Sequence, residues 1–113
     1  MHEQSVVESL LALAIENAER AEARKILKIH LVVGELSGVV DEAVEFYFNF
    51  LSRDTIAAQA SLCFEHISTQ LRCRKCGTVF QPERVDMQCP ECKDRQVDII
   101  AGRELYMDSL EVE

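Results

Sequence analysis

Lys25–Gly34, "KILKIHLVVG", alternates residue by residue. Leu27, Ile29, Leu31 and Val33 fall on one side, and Ile26, Lys28, His30 and Val32 on the other. That two-residue period predicts a strand with one buried face, ending at Gly34.

The flanking sequence changes period. Over residues 4–24, Val7, Leu10, Leu11, Ala14, Ala18 and Ala21 share one stripe, with Glu16 and Arg20 four apart on the other side. This predicts an amphipathic helix, and Arg20, Arg24 and Lys25 gather at the end where its dipole favours cations. After the strand, "GELSGVVDEAVEFYFNFLSR" reads as a glycine-bounded loop and a second helix. Asp41 is placed to cap it, and Val44, Tyr47, Phe48 and Leu51 form its inner stripe. Four of the five phenylalanines lie between Phe46 and Phe64, so the core is expected there. A second strand is predicted near 61–68. The closing "ELYMDSLEVE" regains strand character, and pairing back into the first sheet would make the cysteine-bearing segment before it an insertion. The predicted fold is α+β: two helices on a three-stranded sheet with an inserted zinc-ribbon lobe. The expected division is 1–70 plus 103–113 for one domain and 71–102 for the other.

Length allows one compact domain, or one domain with a small metal-held lobe, among the 113 residues. The longest apolar run, Leu10 to Ile15, is too short to span a bilayer, and acids precede the first base, Arg20, unlike a secretion signal. A cytoplasmic protein is expected, with its five cysteines reduced or metal-bound. The net charge of -8 is uneven. Arg72 to Arg103 carry seven Lys/Arg against five Asp/Glu, while the remainder carries five against fifteen, a local -10. Such a body disfavours phosphate-backbone binding and suits a cation or a basic partner; ordinary solvated faces account for many of the same acids.

Cys73-x2-Cys76 and Cys89-x2-Cys92 stand twelve residues apart. Each pair can turn both sulfurs toward one ion, with Gly77 and Pro90 suited to the turns. Two such turns make a closed tetrahedral thiolate site of the structural zinc kind. Four thiolates and Zn²⁺ sum to -2, which Arg72, Arg74, Lys75, Lys93 and Arg95 offset. A redox dithiol, disulfides and an iron–sulfur centre are the alternatives. Cys63 is read as a small buried apolar residue, and His30 and His66 as ordinary strand histidines.

At the start stand Met1, His2 and Glu3. The Met1 amine, the His2 amide nitrogen and the His2 imidazole can form fused chelate rings, with the Glu3 amide or carboxylate in reach. Such nitrogen-rich, square-planar sets suit Ni(II) or Cu(II). A histidine in second place of an arbitrary protein is, by itself, usually just an exposed residue.

Met1-His2-Glu3, the following helix, "VVGELSGV", the two cysteine pairs and the terminal "SLEVE" occur in an order that resembles the HypA/HybF family over essentially the whole chain. The resemblance implies a nickel metallochaperone for maturation of [NiFe]-hydrogenase, and in some organisms urease. It also implies a maturation GTPase and the hydrogenase large subunit as partners, and admits a homodimer. It implies His2 as nickel ligand with Met1 and Glu3 completing or flanking the site, and zinc at Cys73, Cys76, Cys89 and Cys92. Where members often carry an acid after the "SGV" loop, Val40 stands here and Asp41 comes next, either as a displaced ligand or as a helix cap only. No nucleophile–base pair or phosphate loop is visible, so catalysis is not expected. The rivals are a zinc-ribbon adaptor for protein or nucleic acid and a metallohydrolase using the terminal site; neither nucleic acid nor membrane is expected as a partner.

Overall fold

The computed structural model describes residues 3–82 and 87–113. Its elements are α1 (Glu3–Arg20), β1 (Ile26–Gly34), α2 (Asp41–Leu51), β2 (Ser61–Ile67), β3 (Gln70–Cys73), β4 (Val79–Phe80), β5 (Val97–Ala101) and β6 (Leu105–Val112). The strands form two three-stranded sheets, ordered β2-β1-β6 and β4-β3-β5. The last strand does return to the first sheet, and β1 is its central strand. Among the described residues, no helix is long and apolar enough to cross a membrane.

Contacts divide the chain into two compact units: the described parts of Met1–Val32, Gly38–Glu65 and Leu105–Glu113, and those of Val33–Ser37 and His66–Glu104. In the first, α1 packs against α2 and β6. Val7, Leu11, Ala14 and Ala18 are its buried stripe, three or four residues apart as a helix face requires. The helix stops short of the expected residue 24. Glu22 takes a left-handed φ of 56°, and the Ala23 N–H donates to the Ala18 carbonyl (2.9 Å) while Glu22 donates to Glu19 (3.0 Å). This is a Schellman closure with glutamate where glycine is usual, which is why composition did not mark it.

Three further expectations are corrected. The residue preceding α2 as its cap is Val40, extended at φ -109° and without a side-chain cap bond; Asp41 is the first helical residue. There its carboxylate favours the helix dipole. Of the phenylalanines expected in the core, Phe48 is 1% exposed, but Phe46 and Phe50 face solvent. Strand β1 is not one-faced: Ile26, Ile29, Leu31, Val32 and Val33 are all buried, whereas Leu27 is 41% exposed.

The second unit holds the antiparallel pairs β3–β4 and β3–β5, with Leu71 opposite both Phe80 and Ile99. Leu71 is its fully buried apolar centre, beside Cys73 and Cys89. Segment 33–37 belongs here because its backbone is bonded into the strand junctions. Gly34 N–H donates to Glu104 (2.6 Å), Glu35 to Ile67 (2.9 Å) and Leu36 to Gly102 (2.7 Å). Two carboxylates brace the same junction: Glu35 accepts from Thr69 N–H at 3.0 Å and Glu104 from Gly102 N–H at 2.7 Å.

Candidate metal centre

Two local turns of the same design build the cysteine site. In the first, Gly77 N–H donates back to the Cys73 carbonyl (2.9 Å) and Cys73 N–H to the Thr78 carbonyl (2.9 Å). In the second, Lys93 N–H donates to the Cys89 carbonyl (3.0 Å) and Cys89 N–H to the Asp94 carbonyl (2.9 Å). The residue after the second cysteine of each pair is left-handed, Gly77 at φ 77° and Lys93 at φ 66°. Both turns that bring the paired sulfurs together use that backbone path. Glycine adopts it freely, whereas lysine does so against the clash of its Cβ.

The four sulfurs lie within 4.8 Å of one another. Cys73 Sγ is 3.4 Å from Cys92 Sγ, and Cys76 Sγ is 3.6 Å from Cys89 Sγ. A tetrahedral Zn²⁺ with Zn–S bonds of about 2.3 Å needs edges of about 3.8 Å, so these two short edges would open slightly around an ion and any edge near the 4.8 Å limit would close. Cys73 and Cys89 are buried, Cys92 half-buried and Cys76 exposed. All four positions come from the protein, which leaves no open site for a reacting ligand and fits a structural ion.

The thiols are electrostatically unequal. Cys76 is lowered to about 6, first by the Thr78 hydroxyl and then by the Thr78 backbone, which stabilise its thiolate. Thr78 Oγ1 is 3.1 Å from that sulfur, a partner that spacing alone did not single out. At Cys92, a backbone hydrogen bond at Asp94 pulls down, but bonding to Cys73 and desolvation prevail and push it up to about 12. These values describe thiols sharing protons without metal; a bound Zn²⁺ holds all four as thiolates. Arg72, Arg74, Lys75, Lys93 and Arg95 are exposed around the cage, and Arg74 also pairs with Asp98 at 2.8 Å.

Among the described residues, the tetrad is the one grouping of three or more His, Cys, Asp or Glu placed to hold an ion. Met1 and His2 lie outside the described residues. Glu3 opens α1 as the acid of its first turn. His30 is tied to Glu111 at 2.6 Å, across from β1 to β6. His66 is exposed on β2, and Cys63 is half-buried there.

A family described as hydrogenase/urease nickel-incorporation metallochaperone, HypA, matches residues 1–112. The chain belongs to the HypA family. Hydrogenase maturation factor HypA of Dehalococcoides mccartyi strain 195 is 43% identical over 113 residues, all of this chain and 95% of that protein. The HypA maturation factor of Caldanaerobacter subterraneus is 40% identical over 114 residues, covering all of both chains. The solution structure of the Ni metallochaperone HypA from Helicobacter pylori superposes with a TM-score of 0.70 at 32% identity, covering 99% of this chain and 97% of that one. A second HypA solution structure gives a TM-score of 0.77 at 32% identity over all of this chain and 97% of the other. The α+β fold is thus that of the HypA family, and the cysteine tetrad fits the structural zinc of that family.

Proposed function

We infer that the chain is a nickel metallochaperone that takes up Ni(II) near its N-terminus and delivers it during hydrogenase maturation, with urease as a further acceptor in some organisms. The match to the HypA family over residues 1–112 carries this reading. In the proposal, the Met1 amine, His2 and Glu3 hold nickel as cargo, and Cys73, Cys76, Cys89 and Cys92 hold zinc for structure. In this reading the nickel part is the unit that holds α1, α2 and β6, and the zinc part the unit that holds the cysteine tetrad. A few nitrogen and oxygen donors exchange metal more readily than a closed thiolate cage, as a carrier requires. The maturation GTPase and the hydrogenase large subunit are the proposed partners, self-association as a homodimer is compatible, the compartment is the cytoplasm, and no step of catalysis is assigned to the chain. The zinc-ribbon adaptor reading is not favoured.

The test is calorimetric titration of Ni(II) into zinc-loaded, tag-free protein, with and without a Gly-Ser extension before Met1. The extension turns the amine into an amide, whose proton is far harder to displace. It should weaken nickel binding almost as much as His2→Ala, with zinc content unchanged. Affinity should also fall as pH drops toward 6, because amine and imidazole groups titrate near ~7.7–8.0 and ~6.5. An extended protein with native nickel affinity would remove the amine from the ligand set.

A further inference from the structure

Two phenylalanines stand in solvent on one stripe of α2. Phe46 is 67% exposed and Phe50 60%, the highest values for large apolar side chains among the described residues. They are four residues apart, so they lie one turn above the other and form a short aromatic ridge. Both rings have side-chain neighbours. Phe46 meets the Tyr47 ring edge-on, centroids 5.2 Å apart, and the Arg53 guanidinium lies 5.3 Å over Phe50. Exposed Glu42 and Glu45 flank the ridge, and no lysine or arginine occurs between Asp41 and Leu51.

We propose that this ridge, Phe46 and Phe50 flanked by Glu42 and Glu45, is a docking face for a partner's amphipathic helix with lysine or arginine beside its apolar seam. Aromatic side chains that give up water are the residues on which binding energy concentrates, and a two-ring ridge fits the groove between side-chain rows of a second helix. Charge complementarity selects the occupant. A second copy would bring its own Glu42 and Glu45 and a further net -8, with Arg53 as the cation offered in return. A cationic helix meets the two acids directly and is steered by the -10 of the body.

The test uses the zinc-loaded full chain and a fluorescently labelled synthetic Leu/Lys amphipathic helix, without nickel, so its outcome is independent of the nickel reading. The controls are a scrambled peptide of the same composition and a Leu/Glu helix. Saturable binding of the Leu/Lys helix is expected, weakened at least about tenfold in the Phe46→Ser/Phe50→Ser variant. Glu42→Gln/Glu45→Gln should weaken binding and flatten its salt dependence, while Leu13→Ser, an exposed apolar site on α1, should leave it unchanged. Unchanged circular dichroism establishes that each variant is folded. Equal affinity in the phenylalanine variant, or equal binding of the scrambled peptide, would overturn the proposal. So would self-association of the unliganded chain that the same double substitution abolishes, which would make a second copy the occupant.

Discussion

Replacing Gly34 by alanine tests the junction between segment 33–37 and the strands it joins. Gly34 is not left-handed, so the backbone itself would accept a side chain. The obstacle is space: a Cβ there would sit 2.1 Å from the Gly102 carbonyl oxygen, 2.3 Å from its carbon and 2.6 Å from Glu104 N. All three are backbone atoms and cannot rotate away. Relief requires the two segments to part, which stretches the Gly34–Glu104 and Leu36–Gly102 hydrogen bonds. Overpacking costs about 1–3 kcal/mol, and each weakened backbone bond about 0.5–1.5 kcal/mol. Reduced unfolded-state entropy returns about 0.4–1 kcal/mol. The balance is a loss of roughly 3–4 kcal/mol, or about 15 °C in Tm for a chain of this size. Urea and thermal unfolding of the zinc-saturated protein, followed by circular dichroism, measure it. A Gly34→Ala protein within about 1 kcal/mol of the parent would mean that the close approach of Gly102 is wrong.

The two cysteine turns predict opposite outcomes: Gly77→Ala should destabilise by about 1–2 kcal/mol, and Lys93→Gly should stabilise by about 0.5–1 kcal/mol, read from zinc-saturated urea midpoints. Cys89→Ser, at a fully buried ligand, should abolish zinc binding and remove amide exchange protection from β3 and β5 while α1 stays protected. The hydrogen bond from His30, helped by Lys28, holds the Glu111 carboxyl below its ordinary value. A depressed carboxylate contributes stability above its unfolded value, near ~4.3, and loses that contribution as pH falls through the lower folded value. Glu111→Gln should therefore be less stable than the parent at pH 6, and the two should converge in acid once pH has fallen through the lowered folded value.

Much of the architecture was legible because it rests on periodicity. The α1 stripe of Val7, Leu11, Ala14 and Ala18 and the return of β6 to the first sheet follow from where apolar residues recur. The cysteine tetrad was legible because two C-x2-C pairs at this separation have few other uses. Less legible were features set by single backbone conformations or by neighbours distant in sequence. Glu22 ends α1 in a conformation that its side chain does not advertise, and Lys93 does the same work as Gly77 without glycine. The burial of Val32 and the exposure of Leu27 follow from the position of β1 in the assembled fold, which alternation cannot convey. Aromatic composition placed Phe46 and Phe50 in the core, but a helix buries one stripe, and Val44 and Phe48 occupy it. For the proposed nickel site the candidate donors come from the sequence alone, with Met1 and His2 outside the described residues.

The separation of the two metals is the central claim, and metal analysis of the His2→Ala protein tests it most directly. Native, tag-free protein and the variant are each loaded with zinc, then equilibrated with Ni(II), desalted and assayed for both metals. The account predicts full zinc at the cysteine tetrad in both proteins, with nickel retained by the native chain and lost from the variant. Loss of zinc together with nickel, or nickel retained at native stoichiometry in His2→Ala, would contradict it.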